Sequence, residues 1–362
     1  MKLLIVGGTF DENGGKPSKL IVQMQEFFRM RCEVVGYYNG GNYQDIESII
    51  QECQKADVTI WMPNVPNDKA KIRNVKEINP KTLLILSKRN DGSKYPFAEI
   101  VNRMLKQKSN LLIHINKQEN GIFSFQLLDP LGNCWCDTED FSALLDKLYH
   151  KTKYLLSITR QSTYRAAELG RFAVGYHWTD EQIQFLDTVK KFAEIFHEKI
   201  KPAEGVTRFL GNSSFRCQKG FPSFRATSGV IFVSKRNVDK RYIDKENFMP
   251  VKFHPNGDIC YGFDKPSVDT PIQVRLYELF PNINFMVHTH CYVNAGVFTK
   301  NNVPCGGIEE VQEILDIIPE DERNGEYFAI NLKGHGCLVM AKTVEQIEKV
   351  AFVERVLPEM QE

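Results

Sequence analysis

The sequence has little that would tie it to a membrane, a nucleic acid or a secretory route. Its 362 residues contain no apolar run of about 18 residues, so nothing in it reads as a membrane span. Basic residues (46) and acidic residues (45) nearly cancel to a formal charge of +1, and no long Lys/Arg run occurs. Nothing in that balance suggests an extended nucleic-acid or membrane surface. The opening Met1–Gly15 stretch has a short apolar run, but it lacks a signal peptide's apolar core and small-residue cleavage site. The nine cysteines are scattered, and only Cys134-Trp135-Cys136 places two close together. One C-x-C without a second pair is a weak metal or disulfide signal, and a reducing cytoplasm is the expected setting. Neither G-x-G-x-x-G nor G-x-x-x-x-G-K-[ST] occurs, so the two best-defined phosphate loops are missing.

What is present divides the chain in two, and 362 residues suffice for two domains that each bury a core. In residues 1–155, strands at Lys2–Val6, Cys32–Tyr37, Asp57–Met62 and Thr82–Ser87 alternate with helices at Lys19–Arg29, Tyr43–Gln54 and Pro96–Lys106. Alternation of this kind predicts βαβ units and a Rossmann-like, mostly parallel α/β sheet. Leu111–Asn116 and Ile122–Leu128 read as edge strands, and Phe141–Leu156 as a closing helix. The loop Gly7–Ser18 follows the first strand, where such sheets hold phosphates at a helix N-terminus. It is read either as a nucleotide, flavin or sugar-phosphate site or as part of a sheet used for assembly or regulation. Residues 156–178 form the connector, with a short helix expected at Ala166–Phe172.

The second domain, 179–362, opens at Thr179-Asp180-Glu181-Gln182, which has capping-box spacing, on a helix that runs to about Lys201. Short strands follow at Ser223–Arg225, Gly229–Val233 and Pro250–His254, and a helix at Thr270–Leu279 opened by Asp269. Phe285, Met286 and Val287 then lead as a strand into His288-Thr289-His290. Strand side chains alternate faces, so His288 and His290 project to one side about 7 Å apart, within reach of one ion. His335 lies between Gly334 and Gly336, which let the backbone approach a crowded site. Three histidines and the Asp269 carboxylate make a nitrogen/oxygen donor set suited to Zn2+ or another divalent metal, with a position left open for substrate. A helix Glu309–Ile318, strands Tyr327–Leu332 and Cys337–Met340 and a closing helix Val344–Leu357 complete the expected elements.

Several of these stretches, in this order, resemble one family. Pro266-Ser267-x-Asp269-Thr270-Pro271, Leu276-Tyr277-x-x-Phe280-Pro281 and Val287-His288-Thr289-His290 are similar to the zinc-binding core of the class II aldolase/adducin superfamily. Gly211-Asn212-Ser213-Ser214, Thr227-Ser228-Gly229-Val230 and Gly334-His335-Gly336 extend the likeness. An aspartate in place of the aldolase glutamate brings it nearest the L-ribulose-5-phosphate 4-epimerase branch. The resemblance implies an α/β sandwich with a central, mainly antiparallel sheet, and His288, His290 and His335 as metal ligands. Asp269 would be a fourth ligand or the catalytic acid/base. It places a substrate phosphate near Asn212, Ser228, Gly229 and Ser267, with Arg225 and Lys265 able to add positive charge. Relatives draw a further acid/base from a tail or a neighbouring subunit; with no tyrosine after His335, the available groups are Glu309, Glu310 and Tyr327. The implied activity is a zinc-dependent aldolase (lyase) or epimerase acting on a phosphorylated ketose through a metal-stabilised enediolate. The alternatives are a dehydratase similar to methylthioribulose-phosphate dehydratase and a non-catalytic, adducin-like binding module. A cytoplasmic homo-tetramer with sites at subunit interfaces is also implied, with no nucleic-acid or membrane partner.

Overall fold

The structure is a computed structural model that describes residues 1–65, 75–90, 97–118, 120–161, 165–166, 176–200, 211–217, 230–253, 259–261 and 264–354. The chain forms two compact units, Met1–Ser157 and Ile158–Val356. No helix among the described residues is long and apolar enough to cross a membrane.

The first unit is a seven-stranded sheet of β1 (Lys2–Asp11), β2 (Glu33–Asn42), β3 (Val58–Asn64), β4 (Leu83–Asn90), β5 (Leu111–Lys117), β6 (Phe123–Leu128) and β7 (Cys134–Thr138). Its order is β2-β1-β3-β4-β5-β6-β7, parallel through β5 and antiparallel at β6 and β7. Helices cover both faces, which is why Leu3, Leu4, Ile5 and Val6 run apolar without alternation. Leu3 and Ile5 pack with α1 (Lys19–Arg29), and Leu4 and Val6 with Ile46, Ile49 and Ile50 of α2 (Ile46–Gln51). Three further helices follow in the chain: the short α3 (Val75–Ile78), α4 (Phe97–Lys106) and the 21-residue α5 (Phe141–Gln161).

Two expectations here need correction. The first strand does not stop at Val6 but runs on to Asp11, because Gly7 and Phe10 keep their parallel pairing with Asn39 and Gly41 across a bulge. Cys134–Thr138, unassigned from sequence, is a strand because it pairs with β6. The glycine loop closes on its own backbone: Thr9 and Lys16 exchange hydrogen bonds, and the Asp11 carboxylate accepts from the Asn13 and Gly15 amides.

The second unit is built on a nine-stranded sheet. Its strands are β8 (Arg165–Ala166), β9 (Asn212–Arg216), β10 (Val230–Ser234), β11 (Phe248–Phe253), β12 (Ile259–Tyr261), β13 (Phe285–Thr289), β15 (Val297–Phe298), β16 (Tyr327–Leu332) and β17 (Gly336–Ala341). A separate ribbon pairs β14 (Tyr292–Val293) with β18 (Phe352–Val353). The sheet order is β15-β16-β17-β13-β9-β10-β11-β12-β8, antiparallel except at its two edges. On one face α6 (Asp180–Ile200) packs Phe185, Leu186, Val189 and Phe192 against Phe215, Phe232, Phe285, Val287 and Val339. On the other, α7 (Thr270–Leu279) and α8 (Glu309–Leu315) pack against Ile231, Val233, Met286, Leu338 and Met340. The last helix, α9 (Val344–Glu348), ends well before the expected Leu357. Phe352 turns inward against Phe192 and Phe196, at ring distances of 5.0 and 4.8 Å, and a continuing helix would forfeit that burial. The Ser223–Arg225 strand lies outside the described residues, as does most of the Ala166–Phe172 helix, whose first residue instead pairs in β8.

Candidate metal centre

Period-two alternation along β13 decides where the site forms. Phe285 and Val287 enter the α6 face, so Met286 and His288 point toward α7 and α8. His290 follows the end of β13, and His335 sits in the turn between β16 and β17, its amide bonded to the Leu332 carbonyl. Gly336, with φ of 154°, presses on the end of β13; a Cβ there would lie 1.9 Å from the Thr289 oxygen, so only glycine allows this turn. All three histidines are buried, with ring centroids 4.6 to 5.2 Å apart. One ring nitrogen from each falls within 4.8 Å of the others.

Hydrogen bonds aim two of the rings. The Cys337 carbonyl accepts from His288 Nδ1 at 2.9 Å, and the Glu310 carboxylate accepts from His335 Nδ1 at 2.8 Å. Each contact fixes a tautomer and turns Nε2 toward the cluster, the arrangement that orients histidine ligands in metal sites. Asp269, at the N-cap of α7, accepts through Oδ2 from Asn212 Nδ2 (2.8 Å) and Ser267 Oγ (3.4 Å). That oxygen is 3.9 Å from His288 Nε2. Asp269 Oδ1 and His288 Nε2 are both buried and make no hydrogen bond. Buried polar atoms without partners cost free energy unless something else binds them. Three imidazoles, a carboxylate and these two open atoms fit a divalent cation.

A polar ladder between β9 and α7 holds the site in register. Asn212, Ser214 and Arg216 occur every second residue on the strand, and Asp269, Gln273 and Tyr277 every fourth along the helix. Two strand residues rise about 6.6 Å and four helical residues about 6 Å, so the rows match. Gln273 donates to Asn212, Ser214 bonds Tyr277 at 3.1 Å, and Arg216 donates to the Tyr277 carbonyl.

Burial pushes His288 down to about 4, helped by the charge of His335 and only partly opposed by Asp269, so its imidazole is neutral. Burial also works against a charged His335, but Cys305 and Glu310 outweigh it and hold that ring well above the usual histidine range. Burial raises the Glu310 carboxyl, with His335 opposing. The Nδ1 proton of His335 thus stays in its contact with Glu310, and a cation would meet this ring at Nε2.

Of the residues expected from sequence, the structure brings His288, His290, His335, Asp269, Asn212, Ser267 and Glu310 together. Ser228, Gly229 and Arg225 lie outside the described residues. Tyr327 is 41% exposed and begins β16 at the end opposite His335; Glu309 and Lys265 are exposed. Cys291 and Cys337, which adjoin His290 and Gly336 in the chain, pack in the α6-side core.

Two residues escaped the sequence reading. Lys240 is buried, and among the described residues its ammonium makes no hydrogen bond or ion pair, although Asp269 and His288 both feel its charge. Burial lowers it to about 8, with Asp239 and Asp269 in opposition. A lysine in the polar Lys235–Tyr242 stretch carries no signal of burial. Cys305, 3.1 Å from His335 Nε2, was signalled only by the two glycines that follow it.

Comparison with known proteins bears on this geometry. Residues 196–357, just under half of the chain, match the family model described as the class II aldolase and adducin N-terminal domain. A methylthioribulose-1-phosphate dehydratase of Picosynechococcus sp. is 34% identical over 101 residues, which is 25% of this chain; the chain thus spans under half, 45%, of that relative. Among solved structures, an L-fuculose 1-phosphate aldolase has a TM-score of 0.31 at 16% identity, over 46% of this chain and 78% of that one. A DNA/pantothenate metabolism flavoprotein of Streptococcus pneumoniae has a TM-score of 0.32 at 14% identity, over 43% of this chain and 99% of that one.

Proposed function

We propose that the chain, whose residues 196–357 match the class II aldolase and adducin family model, is a metal-dependent lyase acting on a phosphorylated ketose. The observation that carries this reading is the convergence of His288, His290 and His335 beside two buried atoms without partners. We assign those histidines to a divalent ion, zinc by the chemistry of the donors. Bound there, the ion would supply Lewis-acid stabilisation for the oxyanion that develops when a bond next to the ketose carbonyl breaks.

The chain's own groups carry the rest. Asp269, held through Oδ2 by Asn212 and Ser267, keeps Oδ1 open to take and return a proton. Glu310 holds His335 and is the second buried carboxyl able to exchange a proton with the site. We place the phosphate near Ser267, Asn212, Ser228 and Gly229, with the buried Lys240 as the charged group that would face it. An anion beside a buried ammonium satisfies two charges that are each costly alone. A cytoplasmic homo-tetramer with sites shared between copies belongs to the same reading.

The 34% identity to a methylthioribulose-1-phosphate dehydratase over 101 residues supports loss of water as one form of this reaction. A test is to supply purified protein with zinc, measure bound metal, and score ketose 1- and 5-phosphates for water loss, aldehyde release and epimer formation. One ion per chain with water loss supports the reading. An ion-free protein with no turnover returns the chain to the adducin-like, non-catalytic class.

A further inference from the structure

The segment Pro304–Glu310 approaches His335 from both sides of its ring. Glu310 holds Nδ1, while Cys305 places Sγ 3.1 Å from Nε2, the nitrogen that faces the cluster. Cys305 is fixed there by a turn in which the Gly307 amide bonds the Pro304 carbonyl at 2.9 Å. Gly306, at the turn's second corner, has φ of 82°, and a Cβ on it would lie 2.8 Å from Val268 Cγ2. Glycine is thus required twice, for the backbone angle and for close packing beside Asp269.

Cys305 Sγ, an Asp269 carboxylate oxygen and a His335 ring nitrogen lie within 4.8 Å of one another, as do the three histidine nitrogens. The two donor sets share His335. The unpartnered, buried Asp269 Oδ1 and His288 Nε2 independently indicate a ligand between them. Metal–sulfur and metal–nitrogen bonds of about 2.3 and 2.0 Å at a tetrahedral angle would place the two donors ~3.5 Å apart. The observed 3.1 Å needs only a small opening to reach that separation.

We propose that in the substrate-free chain Cys305 is a fourth protein ligand, through its thiolate, to the ion held by His288, His290 and His335, in the position that a substrate oxygen would otherwise take. The inference rests on the metal reading of those histidines and adds to it a sulfur donor. On ligation the Cys305 S–H bond breaks, its proton goes to solvent, and its electron pair forms the sulfur–metal bond. A thiolate in the set biases the site toward zinc and cobalt and away from magnesium.

The test uses the full chain, stripped of metal and titrated with cobalt(II) alone. The expected result is one cobalt per chain, with visible ligand-field bands and a near-ultraviolet sulfur-to-cobalt charge-transfer band. Cys305→Ser should abolish the charge-transfer band, keep the ligand-field bands, and weaken cobalt affinity on the order of tenfold or more. Alkylation of the wild-type protein gives a second readout that does not depend on the variant folding: bound zinc should protect Cys305 from iodoacetamide. Cobalt bound without the sulfur band, a band that survives Cys305→Ser, or alkylation of Cys305 unaffected by zinc would overturn the proposal and leave the three-histidine site standing. Failure to bind cobalt at all would overturn both.

Discussion

The two faces of the second sheet are built from the same strands and both bury an apolar core, but among the described residues only one also buries histidines and carboxylates. Toward α6, Phe215 stacks on Phe232 at 5.1 Å and meets Trp178 and Phe185, and the buried polar side chains there, Gln182, Thr188 and Ser213, are neutral. Toward α7 and α8, the same strands bury Asn212, Ser214, His288 and, beside it, Asp269, Gln273, Glu310 and His335. Aromatic burial stabilises without needing partners, whereas each buried polar group needs one and returns little net stability. The contrast teaches that apolar packing on both sides of the sheet holds the domain together around the few polar donors buried toward α7 and α8. Proteins tolerate such local violations at functional sites when packing elsewhere offsets them.

The strongest way to break this comparison is to weaken the aromatic face. Phe215→Ala should cost about 3–5 kcal/mol, read from the urea midpoint, because it leaves a cavity between Phe232 and Trp178. Bound metal should be lost only along with the fold. A loss below about 1 kcal/mol would mean that this side adds little to stability. The complementary change is Glu310→Gln, which keeps the shape of the contact to His335 but removes its charge. Metal affinity should fall on the order of 10- to 100-fold, measured by competition with a chelator, with little movement of the urea midpoint.

Lys240 sharpens the contrast with a change of opposite sign. Its folded-state value is depressed to about 8, mainly by burial. Below that pH both folded and unfolded chains carry the charge, and the folded chain bears the full cost of burying it. Between about 8 and the ordinary lysine value the folded chain gives up its proton first, so wild-type stability rises with pH across that window. Lys240→Met should therefore stabilise the protein, by on the order of 1–3 kcal/mol below pH 8, with the gain fading above it. Its KM for a phosphorylated substrate should rise. A variant less stable than wild type at neutral pH would show that the ammonium has a structural partner instead.

How much of this was legible beforehand follows from what each feature depends on. Period-two alternation and glycine spacing are local, so β13, the three histidines and the helix after Asp269 could be read directly. Strand β9 could be read only as a motif, because Asn212–Arg216 is a polar stretch that becomes a central strand by pairing with β10 and β13. The truncated last helix had the same cause, since Phe352 is drawn to Phe192 and Phe196 from far away in sequence. Lys240 and Cys305 were missed because burial of a lone lysine, or the aim of a lone cysteine, is decided by elements that the surrounding residues do not encode.

Tyr327→Phe is expected to have the smallest effect and tests whether the polar face is complete within one chain. Tyr327 pairs with Ala341 at the end of β16 remote from the His335 turn, and is 41% exposed. Removing an exposed hydroxyl should change stability by less than about 0.5 kcal/mol. Metal affinity and kcat should also stay at wild-type levels, because Asp269 and Glu310 already place two carboxyl groups at the histidines. A fall in kcat with unchanged metal affinity would mean that Tyr327 serves the site of a neighbouring copy. Mixing the variant with a His288→Ala chain would then restore activity, since a hybrid assembly would pair an intact tyrosine with an intact set of histidines.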